Sequence, residues 1–434
     1  MTERIFRPSR TTSAAETVVE LHVEKPTAGG RMLARHNGQV VLVWGAIPGE
    51  RVRARIERFG KGVLFAETVE VLAASPDRRA GLADWRCGGN VLAHVRYERQ
   101  LQIKSEIIRD AFARIGRLPL DTSPDVIASP EDGYRMRARL HVRDGRIGFV
   151  REGSHDICVV GPTRQLLPET VRWIEEAEAR LHGDRLRGLS SIEIAENIPA
   201  TERACHLELE PGTEMSPFAA LATNAITGLS AQVLDRRGVE TLAGVPGVSD
   251  SIGSLVLKRD VRAFFQSNRF LLEGLVRHVG DLVPASGPVV DLYAGVGLFG
   301  LSLAAAGRAD ITLVEGDPLS AQDLEENARL FPERTRVERS SVEDLLRHSE
   351  TAHGATFIVD PPRTGMSREA TQGIQRAKPA RLVYVSCDVA TLARDVRALV
   401  DHGYALEQIC AFDLFPNTAH VETVCLLRRE VEEP

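Results

Sequence analysis

No run of apolar residues in this 434-residue chain approaches the ~18 that a helical membrane span needs. No apolar signal-peptide core follows Met1, so export is not expected. Cysteine is scarce. The six cysteines stand at 87, 158, 205, 387, 410 and 425, and their spacing shows no disulfide framework. The expectation is a reduced, cytoplasmic enzyme. Net positive charge is missing too, since the formal net charge is −6. The chain as a whole is no polycation, and nucleic-acid binding has to come from local patches. No internal repeat is visible.

What is present divides the chain. Its length is too great for one compact core, so two or three domains are expected. Residues 1–14 read as a disordered basic arm, with a transit peptide the weaker alternative. Residues 15–73 read as a small all-β unit. Short apolar alternations at 18–23, 40–43, 51–56 and 63–71 are broken by Gly29-Gly30, Asn37-Gly38, Pro48-Gly49 and residues 60–62. Such a pattern suits a small barrel of the kind that binds oligonucleotides. Residues 94–116 read as a helix, with Ile108, Ala111, Phe112 and Ile115 at helical spacing and Gly116 as a stop. Residues 134–262 mix strands with one helix near 169–182. From about Val261 onward β and α alternate. The runs 289–292, 311–314, 356–359 and 382–385 are short and almost continuously apolar, as in parallel strands buried on both faces. The C-terminal third is therefore expected to be a doubly wound α/β domain.

Two arginine patches have period 2, which puts their guanidiniums on one strand face. They are Arg51, Arg53 and Arg55, and then Arg135, Arg137, Arg139 and Arg143. Arginine suits phosphate because its planar fork binds oxygens bidentately. Each patch alone is equally well a solvated face; together they favour a polyanion.

The chemistry is expected at the carboxyl ends of the α/β strands. Gly295-Val296-Gly297-Leu298-Phe299-Gly300 follows the first run, and Glu315 ends the second. Glycines admit a ligand to the backbone, and the carboxylate can accept ribose hydroxyls. Taken alone, this pattern fits a dinucleotide enzyme as well as an adenosyl-cofactor enzyme. Asp360-Pro361-Pro362-Arg363 ends the third run, where prolines fix a carboxylate over the crevice. Cys387 follows the fourth run. A thiolate there is a strong nucleophile, although a buried structural cysteine is the simpler reading of Cys387 in isolation. Glu422 precedes the apolar residues 424–427 and can act as a general base, or be an ordinary edge-strand glutamate.

Taken in order, these segments resemble the RNA uracil-5-methyltransferase family, whose members form 5-methyluridine in tRNA and ribosomal RNA. Residues 45–52 resemble its TRAM domain, and Phe264-Phe265-Gln266-Ser267-Asn268 its Phe-x-Gln-x-Asn. Residues 360–363, 386–395 and 420–422 match its other signatures. The resemblance implies a TRAM barrel over 15–73 and a central α+β RNA-binding domain over 74–93 and 124–262. It places a Rossmann-like methyltransferase domain over 94–123 and 263–434. It implies S-adenosylmethionine (SAM) as methyl donor, RNA as partner, Cys387 as nucleophile and Glu422 as base. It assigns the cofactor to Gln266, Tyr293, Gly295, Gly297, Glu315 and Asp360. It assigns the substrate to Phe264, Asp360, Arg363 and Arg394. No membrane and no obligate protein partner are implied.

The chain also departs from the family. Many relatives hold a [4Fe–4S] cluster on Cys-x5-Cys-Gly-Gly-x-Cys and a later cysteine. Here Cys87-Gly88-Gly89 remains, Gly81 and Asn90 replace two cysteines, and Thr163 stands at the later position with Cys158 nearby. Two thiolates cannot supply four ligands, so no cluster is expected. Leu298 replaces an asparagine and Ser341 an aspartate, which points to weaker cofactor affinity. Cys387-Asp388-Val389 replaces Cys-Asn-Pro, which points to a less rigid loop. The alternatives are an RNA cytosine-C5 enzyme, an amino-methyltransferase, a nicotinamide-dependent oxidoreductase and a catalytically impaired RNA-binding homologue. The first generally needs a cysteine after the Pro-Pro, where this chain has Arg363-Thr364-Gly365.

Overall fold

The computed structural model describes residues 17–79, 84–181, 187–348, 352 and 354–430. The expected basic arm and Gly81 lie outside them. Strands β1 (Val18–Pro26), β2 (Met32–His36), β3 (Gln39–Trp44), β4 (Arg51–Phe59) and β5 (Val63–Ala73) close a barrel in the order β1-β2-β3-β5-β4. Alternate residues of β1 and β4 point inward, so Val19, Leu21, Val23, Val52, Ala54 and Ile56 fill the interior. Arg51, Arg53 and Arg55 point outward as expected, but not as a free cationic face. They pair with Glu20 at 3.3 Å, Glu70 at 2.7 Å and Glu67 at 2.9 Å. Neighbouring strands supply the carboxylates, a pairing that the period of β4 alone does not contain.

Helix α1 (Tyr97–Arg114) leaves the barrel and joins two cores. Ile103 and Ile107 pack into the barrel cluster, while Ile108, Ala111 and Phe112 pack beneath the C-terminal sheet. After β6 (Val126–Ile127) the chain builds a seven-stranded sheet from β7 (Arg137–Arg143), β8 (Arg146–Val150), β9 (Ile157–Val159), β10 (Leu189–Glu196), β11 (Arg203–Leu209), β12 (Gly228–Val233) and β13 (Glu240–Gly244). Helix α2 (Pro168–Arg180) covers one face through Trp173, Ile174 and Ala177. On the other face Arg137 pairs with Glu193 at 3.1 Å, and Arg139 with Glu193 and Glu208. Arg137 and Arg139 are thus charge-compensated, while Arg135 and Arg143 form no ion pair among the described residues.

The scattered cysteines are not all unpaired, which corrects the sequence reading. Cys87 and Cys158 form a disulfide across 71 residues, with a Cα–Cα distance of 5.8 Å. The segment around Cys87 runs antiparallel to Arg151, with Gly88 N donating to Val150 O at 3.1 Å. A side chain at Gly88 would sit 2.9 Å from that carbonyl oxygen. Gly88 therefore allows the close approach that brings Cys87 against β9, where Cys158 pairs with Phe149 of β8.

Hairpin β14 (Gly247–Ile252) and β15 (Leu255–Asp260) places Ile252, Leu255 and Leu257 in the core of the last unit. That unit contains α3 (Leu272–Leu282), β16 (Val289–Leu292), α4 (Leu298–Ala305), β17 (Ile311–Glu315), α5 (Pro318–Ala328), β18 (Thr335–Arg339), α6 (Val342–His348), β19 (Thr356–Val359), α7 (Arg368–Ala377), β20 (Arg381–Ser386), α8 (Val389–Val400), β21 (Tyr404–Phe412) and β22 (Glu422–Arg429). Its sheet runs β18-β17-β16-β19-β20-β22-β21-β6. Strands β16 to β20 are parallel, and β22 enters antiparallel to β20. The order reverses between β16 and β19, the switch point where open α/β sheets bind ligands. Among the described residues no helix is long and apolar enough to cross a membrane.

Candidate active site

Four strand ends converge at this switch point. After β16 the chain turns sharply through Tyr293 at φ 62°, Gly295 at φ 56° and Gly297 at φ 102°. A Cβ at Gly297 would lie 2.4 Å from Leu301, so the turn into α4 requires glycine. Gly295 N donates to Glu315 Oε2 at 2.8 Å, and Asp317 N donates to Glu315 Oε1 at 2.6 Å. The end of β17 is thus tied to the glycine loop. Asp291 lies beneath, wholly buried, and accepts from Gly300 N at 2.8 Å. Burial, with a smaller effect from Asp360 and Glu315, pushes its carboxyl up to about 7. Leu298 is buried in the core rather than facing a ligand, and Ser341 caps α6 by accepting from Asp344 N at 3.1 Å.

Asp360 follows β19 and meets Gln266, whose Nε2 donates to Asp360 Oδ2 at 3.3 Å. Gln266 belongs to a segment clamped at its far end. Arg269 Nε donates to Gly133 O at 2.9 Å, and Arg269 also pairs with the buried Glu196. Asn268 is structural, its Oδ1 accepting from Phe270 N and Leu271 N at 3.0 and 3.1 Å. Phe264 projects outward at 62% exposure, with the Arg137 guanidinium 5.9 Å from its ring centre.

Cys387 directly follows β20 and is half-buried. Asp388 caps α8 by accepting from Thr391 N at 2.8 Å, and Asp388 N donates to Ser386 Oγ at 3.2 Å. With Asp-Val in place of Asn-Pro, this turn is hydrogen-bonded through Asp388. Arg363 is exposed, and its guanidinium acts electrostatically on the Cys387 thiol. Burial pushes that thiol up to about 12; the charges of Glu422 and Asp360 push the same way, and Arg363 opposes them. Glu422 opens β22 at 2% exposure, between β20 and β21. It is an interior residue, not an edge one. Burial and the negative Asp360 hold its carboxyl well above the usual range, and Arg363 pulls it down. Burial likewise raises Asp360. Cys387, Glu422, Asp360, Arg363 and Gln266 thus share one electrostatic neighbourhood. Arg394 lies on α8 with its side chain half-exposed. It bonds Asp395, the Thr364 carbonyl at 3.1 Å and the Met366 carbonyl at 3.3 Å, bracing the loop that carries Arg363.

Sequence reasoning missed a second set, Gln100 and Lys104 of α1, which reach the loop before Glu422. Their signal was present. They occupy the helical positions of a buried stripe with Ile103, Ile107, Ile108 and Ala111, yet are polar.

Of the known proteins, two families have models that match. The tRNA (Uracil-5-)-methyltransferase model matches residues 334–430, and the TRAM domain model matches residues 16–69. A 23S rRNA (uracil(1939)-C(5))-methyltransferase of Pseudomonas putida, RlmD, is 30% identical over 429 residues, covering 94% of this chain and 92% of its own. An uncharacterized RNA methyltransferase of Streptomyces coelicolor is 30% identical over 431 residues, with the same coverage of 94% and 92%. A solved structure of Pyrococcus abyssi tRNA (uracil-54, C5)-methyltransferase, in complex with S-adenosyl-L-homocysteine, superposes with a TM-score of 0.75 at 24% identity. The superposition covers 94% of this chain and 99% of that one, and shows a shared fold.

Proposed function

Because the chain belongs to the SAM-dependent RNA uracil-5-methyltransferase family, we propose that it forms 5-methyluridine in RNA through a covalent adduct of Cys387 with C6 of uracil. The observation that carries this reading is that Cys387, Arg363, Asp360 and Glu422 meet at neighbouring strand ends and act on one another electrostatically.

C5 of uracil is a weak nucleophile until something adds at C6. Cys387 Sγ adds there, and the Sγ proton passes to Asp360. The C5–C6 pair is pushed toward O4, and C5 becomes an enolate carbon. When bound, SAM supplies an electrophilic methyl group to that carbon. Glu422 then removes the C5 proton. The C5–H electrons re-form the C5–C6 double bond, the C6–S bond breaks, and Cys387 recovers its proton from Asp360. One proton remains on Glu422 and is released to solvent, which balances the reaction. Covalent catalysis divides one hard step into easier ones. In the free protein Cys387 rests as the neutral thiol, so Arg363 favours the thiolate only against burial and two carboxylates.

Gly295, Gly297, Tyr293 and Glu315 would hold the cofactor at the switch point, with Gln266 and Asp360 at its sulfonium end. The open glycine turn and the carboxylates fit a cationic adenosyl ligand. The donor set beside Cys87 does not fit a [4Fe–4S] cluster. Its partner Cys158 is disulfide-bonded, Asn90 is not a thiol, and the Thr163 hydroxyl donates to Val160 O at 2.7 Å. To exposed Phe264 we assign stacking on an extruded base, since the target must leave its helix to be reached. For Arg394 we assign bracing of the Arg363 loop in place of substrate contact. We assign residues 15–73 and the Arg139 region to RNA capture, and ribosomal RNA is the first substrate to test, given the full-length relative from Pseudomonas putida.

The test is a covalent trap. Wild type and Cys387→Ala are incubated with SAM and 5-fluorouridine-substituted ribosomal RNA or tRNA, then run on a denaturing gel. Fluorine at C5 cannot leave as a proton, so the adduct should persist. A SAM-dependent shifted band in wild type and none in Cys387→Ala is expected. No band with either RNA, in a protein shown to bind SAM, refutes the mechanism and points to another acceptor atom.

A further inference from the structure

Glu422 is reached through residues 413–421, which belong to no helix or strand. Such a segment cannot fix a side chain to a fraction of an ångström by its own backbone. The sheet holds its two ends, where Asp413 N donates to Ile127 O at 2.9 Å and Glu422 pairs with Phe412, and α1 grips the stretch between them. Lys104 of α1 is fully buried and donates from Nζ to Asp413, also fully buried, and to Phe415 O at 3.0 Å. One turn earlier on the same helix face, Gln100 holds Asn417 twice. Its Nε2 donates to Asn417 Oδ1 at 2.9 Å, and its Oε1 accepts from Asn417 N at 2.9 Å. Asn417 sits at φ 65°, a left-handed conformation that such bonds help to maintain. Leu92 N completes the grip by donating to Asn417 O at 2.8 Å. On the far side the barrel closes the clamp. A Cβ at Gly30 would lie 3.1 Å from Ala419 Cβ, so the barrel packs closely against the loop.

From this clamp we propose that Lys104 and Gln100 are positioning residues for Glu422, setting the loop so that its carboxylate reaches the C5 proton of the adduct. The inference rests on the reading of Glu422 as base. The physical argument is one of cost. Burying a lysine and an aspartate is expensive, and an apolar pair of equal volume is often as stable or more so. Stability alone does not call for the ion pair. The lysine, however, also reaches a loop carbonyl, which no apolar side chain can do. Gln100 likewise fixes a backbone N–H. Both groups constrain the path of the loop rather than only filling space.

The test compares Lys104→Met/Asp413→Leu, Gln100→Leu and Glu422→Gln in the full-length protein, with unmodified substrate RNA and SAM. The double variant removes both charges together, so no buried charge is left unpaired. Thermal melting checks that each variant folds, and Gln100→Leu carries the test if the double variant does not. Both clamp variants should form the Cys387 adduct and transfer the methyl group in a single turnover at the wild-type rate. They should resolve the adduct slowly. Adduct should therefore accumulate on a denaturing gel, with kcat lower by ~10- to 100-fold and KM little changed, the scale expected for a misplacement of about 1 Å. A merely structural role would lower the melting temperature and the amount of active enzyme without accumulating adduct. Wild-type kcat and no adduct in a folded clamp variant, while Glu422→Gln accumulates adduct, overturns the positioning role alone. Normal turnover of Glu422→Gln overturns the base reading and this inference with it.

Discussion

In the free protein the Cys387 thiol should react slowly, and its rate should climb with pH without levelling off. Burial and the two carboxylates push the thiol up to about 12. At pH 8 an ordinary thiol with a pKa near ~8.5 is roughly one-quarter ionised. Cys387 would be ionised in only about one molecule in ten thousand, following its pKa of about 12. The thiolate is therefore scarcer by roughly 2,000-fold. Part of that deficit is returned, because a more basic thiolate is intrinsically more nucleophilic. A Brønsted slope of ~0.4–0.5 over ~3.5 units restores about 25- to 55-fold. Exchange with a disulfide reagent such as dithiodipyridine should then run ~50- to 100-fold slower than for free cysteine, before any steric hindrance. The assay is the difference in released thione between wild type and Cys387→Ser. The disulfide removes Cys87 and Cys158 from the reaction, and Cys205 and Cys425 are buried. Between pH 6 and 9 the rate should rise about tenfold per unit, as for any thiol far below its pKa. Glu422→Gln removes a carboxyl that raises the thiol once ionised, so it should react faster at the alkaline end of this range. Arg363→Leu removes a charge that lowers it, and should react more slowly still. A plateau with its midpoint near pH 7, or faster reaction in Arg363→Leu, would refute this account of the site's electrostatics.

Alkylation in denaturant without reductant should label four cysteines, and with reductant all six; six without reductant would disprove the Cys87–Cys158 bond. In the chain-entropy account, closing 71 residues stabilises the fold by ~4 kcal/mol, so reductant should lower the melting temperature, measurable by calorimetry. On the barrel, the paired arginines of β4 leave its tip as the RNA contact of choice. Phe59 is 54% exposed there, and Arg58 lies 3.5 Å over the Phe65 ring. Phe59→Ala should weaken RNA binding by ~1–3 kcal/mol if a base stacks on it, with little change in salt dependence. Unchanged affinity in a filter-binding assay would remove Phe59 from the interface.

Much of this was legible in residue order. The inward Val52, Ala54 and Ile56 alternate with arginines, and that period alone identifies a strand with one buried face. The apolar runs that became β16, β17, β19 and β20 are buried on both sides, as their composition required. The glycine turn, the Asp360 loop and Cys387 could be placed at strand ends because each directly follows such a run. Other features were not local. Nothing near Arg53 in the chain announces Glu70, nor does anything near Cys87 announce Cys158. In sequence Glu422 could equally be an edge-strand glutamate, and only the entry of β22 between β20 and β21 set it beside the thiol. Lys104 and Gln100 showed as polar residues on a buried stripe, without their partners more than three hundred positions away. Backbone geometry makes period a property of neighbours in sequence, so sequence by itself determined the strands, the helices and the chemical types at their ends. Charge pairing, the disulfide and the microenvironments of Cys387 and Glu422 depend on which distant strands become neighbours and in what register. Those choices belong to the burial of whole faces at once, and only the tertiary structure made them.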